Sequence, residues 1–308
     1  MNKKMVSWGL LLLLSLIWGS SFILMKRGMH SLDGHVIFSY VQVGALRMLI
    51  AATAFLPFAL FSLKKIKTMK HFFSLAAVGF FGNFFPAFLF TYAETGLSSG
   101  FAGMLNSFTP VFTVFIGYVI FKVRIIPAQF VGLFVGIVGV VLLMIAGKQL
   151  SSHGSWEHII AIVLATFMYG ISLNTIKHTL YEFNALEISS LAFFIILFPA
   201  LGVVVYHDTF SVILENRFAY EGLGFISILS LLGTAIALVL FNNIIRLSSP
   251  LFASSVTFFI PIVAVFIGLS FGEKISMFQV VSMGLVLVGV LIVNVLGSNR
   301  VKTDEVTC

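Results

Sequence analysis

The chain has 308 residues, 59% of them hydrophobic and 9% charged, with a mean hydropathy of +1.11. Soluble domains carry about 25% charged and roughly 45–50% apolar residues, so this sequence lacks the polar surface to face water on all sides, and lipid is its main solvent. The net charge of +7 does not signal a nucleic-acid partner, because most basic residues lie in short connectors between apolar runs, where topology signals are found.

Crossing a hydrocarbon core of about 30 Å takes roughly 20 helical residues. Apolar runs of that length predict ten helices, at 7–25, 36–61, 71–92, 98–121, 126–146, 157–176, 185–206, 221–243, 250–272 and 276–296. The connectors are short apart from 207–220, and no separate soluble domain fits among them.

The second half of the chain repeats the first at an offset of 151 residues. Gly19, Ser21 and Lys26 coincide with Gly170, Ser172 and Lys177, and Trp18 with Tyr169. The same offset carries Gly82 to Gly233, Phe90 to Phe241, Ser98 to Ser249, Pro110 to Pro261, and Val114-Phe115-Ile116-Gly117 to Val265-Phe266-Ile267-Gly268. One net insertion later, Gln129 and Gly139 meet Gln279 and Gly289 at offset 150. The first copy spans 7–146 and the second 157–297, and 298–308 reads as a cytoplasmic tail. Lys3-Lys4 and the leucine run up to Trp18 have the look of a secretory signal. Residues 18–26 nevertheless match the sixth helix, so cleavage would strip a helix from one copy alone, and the segment is read as a retained helix.

The basic residues orient the chain. With the N-terminus inside, the inner face holds Lys3, Lys4, Lys64, Lys65, Lys67, Lys70, Lys122, Arg124, Lys177, Arg246, Arg300 and Lys302. The outer face holds only Lys26, Arg27, Lys148, Arg217 and Lys274, so both termini are expected in the cytoplasm. Five helices per copy is an odd number, which makes the second copy enter from the opposite side. The expected fold is therefore an all-α polytopic membrane protein of ten transmembrane helices arranged as two inverted five-helix repeats. Such repeats have two nearly equivalent packings, and exchange between them opens a central site to alternate sides.

Trp18-Gly19-Ser20-Ser21-Phe22 with Lys26, Ala45-Leu46-Arg47, the run from Ser98 to Pro110, and Gln129 with the glycine-rich fifth helix resemble an EamA-type domain. Ser249-Pro250, Pro261, Gly272-Glu273 and Gln279 to Gly289 resemble a second one. The chain is thus similar over residues 7–297 to two-domain members of the drug/metabolite transporter superfamily. The resemblance implies a plasma-membrane carrier of small organic solutes, often outward, without fixing the substrate. The chain departs from the family at Lys122-Val123-Arg124, where a glycine-glutamate pair like Gly272-Glu273 is usual, and at Glu94-Thr95-Gly96, where alanines are common. Small multidrug pumps of the superfamily carry an essential glutamate three residues before the glycine matching Gly19. Leu16 stands there, which disfavours proton-driven efflux of cationic drugs by that route.

Arg47 is the one fully charged residue deep within an expected span, and insertion scales put its cost at about 2.5–3.5 kcal/mol or more. It reads either as a structural tie between helices or as a seat for a carboxylate or phosphate. Glu94, at the end of the third helix, reads as a solvated helix end or, if buried, as a proton acceptor. Polar groups in lipid need partners, so Gln42, Asn83, Thr91, Tyr92, Asn106, Thr109, Asn174, Asn242 and Asn243 are candidates for binding or for helix–helix bonds. Gln42, Arg47, Asn83, Tyr92, Asn106 and Asn174, flanked by Trp18 and Tyr169 as an aromatic floor or gate, form the expected substrate-binding set. Pro110 and Pro261 free the carbonyls of Asn106 and Thr257 and are expected hinges. Gly132, Gly136, Gly139, Gly284 and Gly289 read as close-packing surfaces.

His71, His153, His158, His178 and His207 lie in connectors or at helix ends without supporting ligands, so no metal site is expected. No P-loop or dinucleotide fingerprint is present and no cofactor is expected. Cys308 stands alone at the last position, so neither a disulfide framework nor a prenylation signal is expected. The sequence therefore points to a secondary transporter of small organic metabolites, with amino acids the best match to one arginine, several amides and aromatics. The rival readings are a polyspecific drug-efflux carrier and an integral-membrane enzyme acting on lipid-linked substrates. An enzyme is not expected, because no acid, histidine or nucleophile cluster gathers at one membrane face. The expected partners are the small-molecule substrate and the lipid bilayer, and a monomer and a homodimer are equally open.

Overall fold

In lipid a chain must satisfy its own backbone polar groups, and a helix does so within one segment. The computed structural model of the chain describes residues 3–123, 127–150, 156–238, 240–241, 244 and 256–292, and among these it is helical apart from connectors and an isolated bridge between His30 and Val36. The main helices are α1 (Lys3–Met29), α2 (Tyr40–Ser62), α3 (Met69–Ala93), α4 (Ser99–Val119), α5 (Pro127–Leu150), α6 (Trp156–Thr179), α7 (Ala185–Tyr206), α8 (Ala219–Ile236), α9 (Val256–Ser270) and α10 (Met277–Leu291). Seven of them, α1–α4 and α6–α8, are long and apolar enough to cross a bilayer. Shorter apolar helices run over Gln129–Leu143, Phe259–Ser270 and Met277–Gly289. The connector expected at 207–220 contains a short helix, Thr209–Glu215. Arg124, Asn242, Asn243, Arg246, Ser249, Pro250 and the tail 298–308 lie outside the described residues.

Helix starts are set by side chains that take up the free N–H groups of the first turn. Ser39 with Gln42, Asn184 with Glu187, and Ser276 with Gln279 form reciprocal capping boxes at α2, α7 and α10. Large apolar side chains such as Phe61 (87% exposed), Phe134, Phe198 and Phe266 point outward, as a lipid-facing surface requires. The largest buried cluster joins α1, α3, α4, α6, α8 and α9 through residues such as Leu14, Phe22, Phe90, Leu105, Ile162, Leu229 and Ile260. A second joins α2 to α7, with Phe55 and Phe193 at 5.2 Å between ring centroids.

The helices are interrupted at points of two kinds. α4 breaks at Ser107–Phe108, immediately before Thr109-Pro110. The proline has no N–H and its ring crowds the Asn106 carbonyl, so Ser107 and Phe108 donate instead to Met104 and Leu105 in tight turns. Pro261, its repeat mate, sits inside α9, and Pro57 and Pro199 lie inside α2 and α7. The second kind was not foreseen from the sequence. α3 and α8 each contain a π-helical segment, Phe80–Phe84 and Leu231–Ile236, starting at positions 151 residues apart. Such segments insert an extra residue per turn and are frequent at functional sites.

Contacts between the copies follow the repeat. A Cβ placed on Gly82 of α3 would collide with Ser172 Oγ of α6, and one on Gly233 of α8 would meet Ser21 Oγ of α1 at 3.0 Å. Likewise Gly19 abuts Val263 of α9, and Gly170 abuts Phe112 of α4. Gly139 of α5 abuts Val286 of α10, while Gly289 faces the backbone of Gly132 and Gly136. In each pair the second contact is the first one shifted by the repeat offset. α1 therefore packs among helices of the second copy, and α6 among helices of the first. The turns after α4 and α9 also correspond. Val123 N–H donates to Gly117 O and Glu273 N–H to Gly268 O, both at 2.9 Å. Each turn uses a positive φ, taken by Gly272 (82°) and by Lys122 (57°), the latter at a cost of roughly 1–2 kcal/mol for a side chain with a Cβ.

Candidate functional site

One face of α1 carries Trp18, Phe22 and Met25, spaced so that they stack along the helix. Helices of both copies meet this face. Trp18 Nε1 donates to Gly233 O at 3.0 Å, inside the π segment of α8, and its ring lies 5.6 Å from that of Phe241. Tyr169 of α6 stacks on Phe90 of α3 at 6.0 Å and 24°, and Phe22 meets Phe90 edge-on at 6.0 Å. Phe90 and Phe241 are repeat mates, as are Tyr169 and Trp18, so each aromatic pair bridges the copies. One turn beyond Phe22 on α1, Arg47 of α2 points Nη1 at Met25 Sδ, 3.6 Å away. Its buried Nε has no hydrogen-bond partner, and its charge lies within electrostatic reach of Tyr169 and Glu94. Arg47 is the eighth residue of α2, about 10 Å along the helix from its start. It therefore lies in the half of α2 nearer its start.

The other expected binding residues are placed as follows. Gln42 completes the α2 capping box and donates from Nε2 to His207 O at 3.1 Å. Asn83 Nδ2 donates to Val78 O at 3.3 Å within the π turn of α3. Tyr92 Oη donates to Glu157 Oε2 at 3.1 Å, with its ring against Tyr40 and His158. Asn174 Nδ2 donates to Gly170 O and Thr113 O, both at 2.8 Å, tying α6 to the restarted half of α4. Asn106 stands at the α4 break with a buried, unpartnered Oδ1. Trp18 and, two turns further on at Met25, Arg47 thus lie along the α1 face, which Tyr169 reaches through Phe90. Gln42, Tyr92 and Asn174 have their hydrogen bonds elsewhere.

Two carboxylates that the sequence did not single out as binding residues dominate the electrostatics of this end. Glu273, in the turn after α9, accepts from Ser99 N–H at 2.8 Å and Gly100 N–H at 2.9 Å, and from Lys26 Nζ at 3.0 Å. Burial alone would raise its carboxyl, but the Gly100 N–H, the Lys26 charge and the Ser99 N–H outweigh burial and hold it below the usual carboxylate range. Ser98 Oγ takes up the Phe101 N–H, so residues from both copies cap the start of α4. The second carboxylate is Glu94, just past α3. The reading of Glu94 as a solvated helix end is overturned, because the residue is 2% exposed and neither carboxylate oxygen has a hydrogen-bond partner. Burial pushes its carboxyl well above the usual range; Glu273 adds to the rise, and Lys26 and Arg47 oppose it. The lone acid between an apolar helix and the Ser98 cap was the available signal, and sequence could not tell burial from solvation there.

The EamA-like transporter family matches residues 6–145 and again 156–295. An uncharacterized inner membrane transporter of Escherichia coli (strain K12), YedA, is 25% identical over 291 residues, covering 93% of this chain and 90% of the relative. An uncharacterized transporter of Archaeoglobus fulgidus is 26% identical over 187 residues, covering 60% of this chain and 63% of its own. One solved crystal structure aligns over 96% of this chain and 98% of its own with a TM-score of 0.59 at 14% identity, a likeness of fold alone. With both halves matched and seven apolar helices long enough to span, this membrane protein belongs to the EamA-like transporter family.

Proposed function

We propose that the chain is a secondary carrier that moves small organic metabolites, amino acids fitting best, out across the cytoplasmic membrane by alternating access. In this reading ten helices form two inverted repeats, 7–146 and 157–297, with both termini cytoplasmic. The observation that carries it is the set of exchanged contacts between the copies. Gly82–Ser172 and Gly233–Ser21, and Trp18–Phe241 and Tyr169–Phe90, supply two related seams. Seams that match let one open as the other closes at little net cost, as alternating access needs. The inner-membrane placement draws support from the Escherichia coli relative, and the outward direction from the family resemblance.

The binding set is Arg47 with Trp18 and Tyr169, joined by Asn106, whose Oδ1 lacks a partner. Gln42, Asn83, Tyr92 and Asn174 stay in the proposal as groups that change partners during the cycle, and Pro110 and Pro261 as hinges. A guanidinium held by one thioether is free to take a carboxylate through two parallel N–H donors. The partners in this reading are the substrate and the bilayer, with no cofactor.

The test is counterflow in proteoliposomes preloaded with an unlabelled amino-acid mixture and challenged with the ¹⁴C-labelled mixture. A carrier shows transient overshoot of label, whereas monotonic equilibration would refute alternating access. Topology is checked by reporter fusions, with Lys148 outside and Lys177 inside. Both on one side would defeat the inverted repeat.

A further inference from the structure

Four charged groups meet where α1, α2, α3 and α9 approach one another: Lys26, Arg47, Glu94 and Glu273. Their pairing is uneven. Lys26 and Glu273 are bonded to each other at 3.0 Å, and Glu273 is further held by two backbone N–H groups. That leaves Arg47, whose Nη1 rests on a thioether and whose Nε is unpartnered, and Glu94, with both oxygens buried and bare. The two sense each other's charge yet form no ion pair within 4.0 Å. A buried carboxylate without a hydrogen bond is costly in its charged form, and here an equally under-bonded guanidinium stands within its electrostatic reach.

We propose that Glu94 and Arg47 are the two arms of a zwitterion site, in which Glu94 takes either the ammonium group of an amino acid or a proton, and never both. The proposal rests on the carrier reading above and deepens it by naming the substrate class and the coupling. With Arg47 holding the substrate carboxylate, ionised Glu94 accepts the ammonium and both orphan groups are satisfied. When the substrate leaves, a proton from the open side binds Glu94 and removes the unpaired charge. No covalent bond to substrate forms. The proton returns to water when the next ammonium displaces it, so protons and amino acids travel in opposite directions. The resting preference of Glu94 for its neutral form, set by burial and by Glu273 against Lys26 and Arg47, fits this cycle. Other titratable groups border the segment. Tyr169 of α6 faces Arg47. Glu157 and His158, at the start of α6, contact Tyr92 and Thr95 beside Glu94.

The experiment uses purified full-length protein and an amino-acid mixture as the probe. In weakly buffered detergent solution at neutral pH, adding the mixture to wild type should release up to one proton per chain, and Glu94→Gln should release none. In proteoliposomes, an acid interior should drive ¹⁴C-mixture uptake above equilibrium at least tenfold more in wild type than in Glu94→Gln. Glu94→Asp should keep part of both responses. Unfolding midpoints within a few degrees of wild type establish that the variants are folded. Primary amines lacking a carboxylate, and carboxylic acids lacking an amine, should compete poorly. If wild type shows counterflow, but without proton release and with full activity in Glu94→Gln, the coupling proposal is overturned and the carrier reading stands. If wild type shows no counterflow of the mixture, the amino-acid reading fails and this proposal with it.

Discussion

Glu273→Ala should open the end of the bundle where α4 begins. Glu273 supplies acceptors to Ser99 N–H and Gly100 N–H and binds Lys26. Hydrogen bonds to a charged partner contribute about 1.5–3 kcal/mol each, and losing a helix N-cap costs roughly 0.5–2 kcal/mol because water partly replaces it. The Lys26 side chain is 38% exposed, so screening leaves the ion pair about 0–1 kcal/mol. Together these give about 0.5–3 kcal/mol in favour of the closed end, or a population shift of roughly 2- to 150-fold at 1.4 kcal/mol per decade. The assay is labelling of Ala102→Cys, fully buried one turn into α4, by a membrane-impermeant maleimide after Cys308→Ser. Labelling should accelerate by about that factor in Glu273→Ala. Glu273→Gln, which keeps one carbonyl acceptor, should fall between. A change under about twofold in folded protein would show that this cap and ion pair do not hold the end shut.

Other predictions concern packing, charge and pH. Gly289→Ala should lower the unfolding midpoint, because its Cβ would lie 2.7 Å from Gly132 O and Gly136 Cα, backbone atoms that cannot move aside; overpacking of this kind costs about 1–3 kcal/mol. Gly284→Ala, with nothing within 4 Å, should be neutral or stabilising by up to about 1 kcal/mol, and equal effects at the two sites would refute the packing assignment. Arg47→Lys keeps the charge but loses the planar fork; counterflow should fall at least about tenfold at unchanged expression if the arginine grips a carboxylate. Full activity would leave Arg47 a structural tie. The Glu273 carboxyl is held below its usual range, so its stabilisation is complete above the unfolded-state pKa and is lost as pH falls through the folded one. The wild-type unfolding midpoint should therefore drop more than that of Glu273→Gln on acidification below about pH 4.3, and parallel curves would contradict the assignment.

Much of this molecule was legible as a string. Pro110 announces the α4 break, and Gly139 and Gly289 announce a close seam between α5 and α10, although Gly284 has nothing within 4 Å and α2 starts at Tyr40, capped by Ser39, instead of at 36. Each is a short-range rule about backbone donors, carbonyls or missing side chains, so neighbours along the chain suffice to state it. The π segments in α3 and α8 were not legible, because Phe80–Phe84 and Leu231–Ile236 are ordinary apolar residues whose extra residue per turn depends on packing partners. The hydrogen-bond partners of Asn174 and Gln42 were not legible either, because their acceptors, Thr113 O and His207 O, lie far off in sequence.

The composition, the apolar run lengths and the repeat at 151 residues by themselves determined that the chain is helical, lies in a membrane and is built twice. Those properties follow from transfer into lipid and from backbone satisfaction within single segments, and neither needs a partner. Only the tertiary structure decided which charges are spoken for. Glu273 and Lys26 are 247 positions apart and Glu94 and Arg47 are on different helices, and sequence carries no distance across a bundle. The burial that leaves Glu94 bare and the contacts that cross-connect the two copies exist only once the helices pack.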